Sequence, residues 1–87
     1  MRFLHNDLGQ LDDGQVVEVT LNSAANVRLM DSSNFHSYRA GGRHNYIGGY
    51  VTRSTFRLAV PRSGYWHLAV DLGGCAGSVR AGVRVLN

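Results

Sequence analysis

The segment from Asn34 to Tyr46 carries the side chains whose types could do chemistry together. Aromatic and cationic residues alternate there in a polar stretch, and the candidate ligand-binding residues are Asn34, His36, Tyr38, Arg39, Arg43, His44 and Tyr46. Aromatic rings stack on bases or sugars, and arginine pairs with phosphate. The pattern therefore predicts a site for an anionic ligand, nucleotide-like or oligonucleotide. The alternative is that Phe35 and Tyr46 fill the core and that the arginines are only solvated.

Two glycines inside this segment offer a second way to hold an anion. The Gly41-Gly42 step could present backbone amides to an anion, although a glycine pair without a helix start is a weak signal.

A second basic face is predicted in the C-terminal half of the chain. Its residues are Arg57, His67, Arg80 and Arg84. They would form one stripe if the last strand paired in the same sheet as the hairpin before it. The alternative is that they are the outward charges of half-solvated strands, which discourage aggregation between sheet edges.

Enzymatic activity is not expected from the one cysteine of the chain. Gly73, Cys75 and Gly77 match the spacing of a nucleophile elbow, but that motif needs a strand-to-helix turn and here it lies between two predicted strands. His67 and Asp71 lie four residues apart on a strand, about 13 Å, too far for one to orient the other. We therefore expect a glycine-rich turn that holds a small thiol.

Neither a metal nor a cofactor is expected. The four histidines are His5, His36, His44 and His67. They lie on separate predicted elements and lack the short spacing of metal ligands. Oxygen atoms of Asp31, Asn34 and Asp71 could form a calcium site, but Asp31 and Asn34 also suit the capping of a turn.

Length and composition are those of one small folded domain, residues 1–87. The chain is 44% hydrophobic and 17% charged, so it can build a core and lacks the charge excess of disordered chains. Nine arginines, no lysine and six acidic residues give a net charge of +3, which suits anion recognition and would also follow from an arginine-favouring codon usage. The single cysteine and the absence of a signal peptide or a long apolar run predict a cytoplasmic protein with no membrane segment.

Alternating apolar residues, punctuated by eleven glycines, predict an all-β fold without substantial helix. The clearest predicted strands span residues 16–21, 26–30, 55–60, 65–72 and 78–86, with others at 2–5 and 45–51. Seven to eight short strands at this spacing are typical of a small antiparallel β-sandwich, here jelly-roll-like.

The connections between these strands give three local predictions. Proline and glycine in residues 61–64 suit a type I turn, so 55–60 and 65–72 are predicted to form an antiparallel hairpin. The polar stretch 32–44 is predicted as the longest loop. Gly48-Gly49 predicts a bulge or a close backbone approach, with the register left open.

Four segments carry a resemblance to a known family across essentially the whole chain. They are VVEVTL, AANVRLMDSSNF, RLAVPRSGYWHLAVDLGG and SVRAGVRVL, in this order. Together they resemble domain of unknown function family 1883. The resemblance implies a small bacterial all-β domain that occurs alone or beside Toll/interleukin-receptor (TIR) domains, as a sensing or recognition module. It supplies no functional residues.

The sequence thus predicts a non-enzymatic recognition module that binds an anionic ligand or nucleic acid through residues 34–46. The alternative is a protein–protein interaction or oligomerisation module that acts with a TIR-type signalling or defence partner through exposed strand edges. The oligomeric state is left open.

Overall fold

Seven strands and one short helix are described over residues 3–73 and 77–86 of a computed structural model. In chain order they are β1 (Phe3–Leu11), β2 (Val16–Leu21), β3 (Ala25–Asp31), α1 (Ser32–Arg39), β4 (Ile47–Val51), β5 (Phe56–Ala59), β6 (Gly64–Asp71) and β7 (Ala81–Leu86). They form a four-stranded antiparallel sheet, β1-β6-β3-β4, and a three-stranded one, β5-β2-β7. The predicted small antiparallel β-sandwich is confirmed. The predicted turn around Cys75, like Arg2 of the opening strand, lies outside the described residues.

The core lies between the two sheets because period-two alternation puts apolar side chains on their facing sides. Its buried residues are Leu11, Val17, Val19, Leu21, Ala25, Val27, Leu29, Val51, Leu58, Val60, Trp66, Leu68 and Val70. Full burial of one such valine or leucine contributes about 1.5–3 kcal/mol of transfer free energy. This cluster therefore holds the sheets together.

The prediction that residues 32–44 form one loop is wrong, because the segment begins with α1. The Asp31 side chain accepts a hydrogen bond from the Asn34 amide at 3.0 Å and so caps the first turn. At the other end Gly41, with φ of 83°, and Gly42 donate their amides to the carbonyls of Tyr38 and Ser37, the pattern of a Schellman motif. The residue types at both ends, Asp31 and Gly41, are therefore helix-capping signals in the sequence. With eight residues α1 is too short to cross a membrane, and the described chain has no other helix.

The helix covers part of the outer face of the four-stranded sheet. Phe35 and Tyr38, three residues apart on one side of α1, pack against Met30 and Ala69. Phe3 of β1 completes this second, smaller cluster. The outer face is consequently buried where α1 lies on it and open elsewhere.

The predicted hairpin between residues 55–60 and 65–72 is wrong. β5 pairs with β2, whereas β6 lies between β1 and β3 in the other sheet. The Pro61 turn therefore carries the chain from one sheet to the other. β6 suits a central position because both of its faces are buried, one by the core and one largely by α1.

Gly48 and Gly49 cause no bulge, since β4 pairs with β3 in a regular register from Ile47 to Val51. The close backbone approach does occur. Gly48 has φ of 130°, and a Cβ atom there would lie 2.1 Å from the carbonyl oxygen of Val27. Only glycine lets β4 approach β3 at this point.

Candidate ligand-binding site

An open depression of about 670 Å³ lies where the chain returns from α1 to β4. It is lined by Arg28, Asn34, Gly41, Gly42, Arg43, His44, Asn45 and Tyr46. The depression brings together four of the seven predicted ligand-binding residues: Asn34, Arg43, His44 and Tyr46. Arg28 and Asn45 are lining residues that sequence analysis did not identify.

The floor of the depression is fixed by a buried carboxylate. Asp71, 1% exposed, accepts hydrogen bonds from Tyr38 Oη at 2.7 Å and Arg28 Nε at 3.0 Å on one oxygen. Its other oxygen accepts from Asn26 Nδ2 at 2.9 Å and the Gly73 amide at 2.8 Å. Arg28 is therefore held through Nε, and its terminal nitrogens extend toward the depression.

These contacts shift the ionisation of both buried partners. Burial by itself raises the pKa of Asp71, but the hydrogen bonds from Tyr38 and Asn26 outweigh it and bring the pKa below its usual range. Burial first, and then the bond to Asp71, raise the pKa of Tyr38 well above its usual value. Asp71 is thus an anion and Tyr38 a neutral donor at neutral pH.

His44 is oriented by one partner on each ring nitrogen. Its Nδ1 lies 3.0 Å from the carbonyl oxygen of Gly42, which can only accept, so Nδ1 carries the hydrogen. Nε2 then accepts from Arg28 Nη1 at 3.3 Å. The ring is thereby held between the Gly42 carbonyl and the guanidinium of Arg28.

The loop is tied to the helix at one further point. Asn34 Oδ1 accepts the Asn45 amide at 2.7 Å, while Asn34 Nδ2 donates to Asp31 at 2.9 Å. Asn34 therefore positions the loop, and both ends of its side-chain amide already have partners.

Arg43 and Tyr46 are the lining side chains most open to a ligand. Arg43 is exposed and forms no ion pair within residues 3–73 and 77–86. The Arg28 guanidinium lies 4.7 Å from the centroid of the Tyr46 ring, yet Tyr46 remains 43% exposed. One free cation thus lies beside one exposed ring that is supported by a second cation.

The other three predicted ligand-binding residues do not line the depression. Tyr38 is 4% exposed and belongs to the packing under α1, so its ring cannot stack on a ligand. Arg39 Nη2 lies 3.3 Å from His36 Nδ1, and its guanidinium lies 5.6 Å from the Phe35 ring centroid. The predicted alternative, in which Phe35 and Tyr46 fill the core, is confirmed for Phe35, which is buried, and wrong for Tyr46, which is exposed.

The Gly41-Gly42 amides are unavailable to an anion because both cap the C-terminus of α1. The predicted anion site on this glycine pair is therefore wrong. Its glycines serve the helix end instead.

The predicted second basic face is not one surface. Arg57 and Arg84 lie on the outer side of the three-stranded sheet, where both donate to Glu18, at 3.0 Å and 2.6 Å. These bonds, from Arg84 first and then Arg57, lower the pKa of Glu18. Arg80 is exposed just before β7, and its amide donates to Asn22 Oδ1 at 2.7 Å.

His67 does not join these arginines because β6 belongs to the other sheet. It is 8% exposed and lies under α1, with Nε2 2.9 Å from Ser32 Oγ and Nδ1 2.9 Å from His5 Nε2. The Phe35 ring is stacked on it, 4.6 Å between centroids. Burial lowers the pKa of His67, against the opposing effect of Asp7.

The residues considered for calcium are engaged elsewhere. Asp31 caps α1 and pairs with Arg62, while Asp71 pairs with Arg28. The alternative prediction, a cap formed by Asp31 and Asn34, is confirmed. Within residues 3–73 and 77–86, no group of three or more His, Cys, Asp or Glu residues is placed to hold a metal.

Comparison with known proteins identifies the family of the chain but assigns no activity to that family. The family model described as "Domain of unknown function (DUF1883)" matches residues 1–87. No curated protein and no solved structure gives a significant match. Because the match spans the whole sequence, it confirms the resemblance noted from four segments, and the chain belongs to the DUF1883 family.

Proposed function

We propose that this protein is a non-enzymatic recognition module that binds an anionic, nucleotide-like or oligonucleotide ligand in the depression between α1 and β4. The observation that carries the proposal is that one depression is lined both by Arg43, a cation without an ion-pair partner among the described residues, and by the exposed ring of Tyr46. A phosphate pairs with the guanidinium and a base stacks on the ring.

The surroundings of these two residues suit the binding of a ligand. Arg28, His44 and Asn34 already have partners that fix their orientation, so the depression is formed before a ligand enters. Such preorganisation reduces the entropy lost on binding. The role of the depression in this proposal is therefore to select and hold a ligand.

The test is a titration of the purified protein with adenosine monophosphate and with a single-stranded oligonucleotide of about six nucleotides. Loss of Arg43 in Arg43→Ala removes one charge-assisted phosphate contact and is expected to weaken binding about tenfold. Arg80→Ala is the matched control, since it removes an equally exposed charge outside the depression. Equal affinities of Arg43→Ala and Arg80→Ala would contradict the site.

An alternative function is a protein–protein interaction module, and the exposed edge strand β4 favours it. β4 is an outer strand of its sheet, and Tyr50 on it is 69% exposed. A strand of a TIR-type partner, or of a second copy, would pair with this edge. Light scattering tests self-association, and a strict monomer at high concentration would remove the oligomeric version.

The setting belongs to the same proposal. We place the module in the bacterial cytoplasm, on the basis of the family resemblance and the single cysteine. We also propose that the sandwich has the jelly-roll-like topology that the sequence predicts. Fractionation of cells that express the protein at natural level tests the location.

A further inference from the structure

We infer that the ligand is a single-stranded nucleic acid that continues out of the depression along the outer face of β4, with Tyr50 as a second stacking platform. This inference rests on the proposed function, since it extends the same site. It adds Tyr50 and Arg53 to the site, and both residues lie beyond the predicted ligand-binding segment 34–46.

Strand geometry puts the two exposed tyrosines on one side of the sheet. Ile47 and Val51 pack against the core, so the residues that alternate with them, Gly48 and Tyr50, face outward. Tyr46, one residue before β4, continues this outward row, and one face of its ring contacts the guanidinium of Arg28. The tyrosines are four positions apart in the sequence, which corresponds to about 13 Å along an extended chain.

Between the tyrosines, the outward position of β4 itself carries no side chain. It is occupied by Gly48, which is exposed and approaches the backbone of Val27 closely. A strand that leaves the depression therefore meets no β4 side chain between the two rings, and it passes Arg28 of β3, the register partner of Gly48. Two rings with a gap between them suit a short run of unpaired bases rather than one nucleotide.

Charge also marks both ends of this path. Arg43 precedes Tyr46, and Arg53 lies two residues after the end of β4. Both are exposed, and neither forms an ion pair in the described part of the chain. By contrast, Arg57 and Arg84 on the other sheet are neutralised by Glu18. Two of the cations without an ion-pair partner among the described residues thus flank the rings of Tyr46 and Tyr50, where the phosphates of a bound strand would need them.

The experiment compares adenosine monophosphate with a single-stranded oligonucleotide of about six nucleotides, using wild type, Tyr50→Ala, Tyr50→Phe and Arg53→Ala. Loss of the Tyr50 ring is expected to weaken the oligonucleotide about tenfold and to leave the mononucleotide unchanged. Tyr50→Phe keeps the ring and the affinity. Arg53→Ala is expected to reduce the slope of log affinity against log salt by about one for the oligonucleotide only. Tyr65→Ala is the control, because it removes an exposed tyrosine that lies on β6 rather than on β4.

The outcomes separate the two proposals. If mononucleotide and oligonucleotide bind equally and Tyr50→Ala changes neither, the path along β4 is overturned while the depression keeps its ligand. If wild type binds neither, or Arg43→Ala binds both as wild type does, the proposed function fails and this inference fails with it. Circular dichroism of each variant verifies that it folds.

Discussion

The hydroxyl group of Tyr38 donates to Asp71 at 2.7 Å, and this bond, together with the contact between Ser32 and His67, joins α1 to β6, an inner strand of the four-stranded sheet. Asp71 in turn holds Arg28, which supports both His44 and Tyr46. A buried contact under the helix therefore determines the shape of an exposed depression. If the depression binds the proposed ligand, stability and binding are coupled through Asp71.

Tyr38→Phe is expected to lower the free energy of unfolding by about 1–3 kcal/mol, because a buried carboxylate loses one of its four donors. Urea denaturation followed by circular dichroism measures the loss. Tyr50→Phe is the control, since Tyr50 is 69% exposed, and its stability should match wild type. Equal stability of the two variants would show that the hydroxyl of Tyr38 contributes nothing.

Stability is expected to fall on mild acidification because of His67. Burial lowers the pKa of His67 from its usual value of 6.5, so below that pH the unfolded chain takes up a proton that the folded protein resists. This contribution is complete above pH 6.5 and is lost as the pH falls. Urea denaturation between about pH 7 and pH 5, above the range where carboxylates protonate, measures it.

His67→Gln should flatten the pH dependence in that range, whereas His36→Gln, which changes an exposed histidine of α1 whose charge is one of the smaller causes of the lowered pKa, should retain most of it. The prediction fails if the slope of unfolding free energy against pH is the same in all three proteins. Comparison of slopes rather than absolute stabilities removes the cost of the substitution itself.

Gly48→Ala is expected to destabilise the protein by about 3 kcal/mol, because the new methyl group would strike the Val27 carbonyl and the backbone would be strained at positive φ. Gly82→Ala in β7 is the matched control, since its Cβ would meet the Thr20 Cβ at an ordinary 3.9 Å. Its stability should change by about 0.5 kcal/mol or less. Denaturant midpoints that shift equally would refute the close approach of β4 to β3.

Removal of both Arg57 and Arg84 is expected to raise the pKa of Glu18, because their hydrogen bonds lower it in the intact protein. An NMR titration of the Glu18 carboxyl group measures the change. The same double variant should bind the oligonucleotide as wild type does, since neither arginine lines the depression. Weaker binding would instead assign the ligand to the three-stranded sheet.

The sequence predicted this fold well wherever alternation was regular. Val17 and Val19 of β2, and Leu68 and Val70 of β6, are buried as their period-two pattern requires. The pattern did not reveal which strands are neighbours, because a Pro-Arg-Ser-Gly turn serves a hairpin and a crossing between sheets equally well. The missed helix is a different case, since Asp31 and Gly41 marked both of its ends.

Four of the seven predicted site residues meet at the depression because Asn34, Arg43, His44 and Tyr46 are close in sequence and one loop suffices to gather them. Arg28 was missed because only the pairing of β3 with β4 and β6 brings it beneath that loop. Tyr38 was predicted to bind the ligand because the sequence of a polar stretch does not show whether an aromatic residue in it faces solvent or packs on the sheet.

By itself the sequence determined the strand faces, the two caps of α1 and the local cluster of rings and cations, since these depend on residue type and on separations of a few positions. Tertiary structure alone decided the strand order, the burial of His67 and Tyr38, and the placement of Arg28 on Asp71 below His44 and Tyr46. The physical reason is that side chains far apart in the chain meet only once the sheet register is set, and register follows from packing of the whole core.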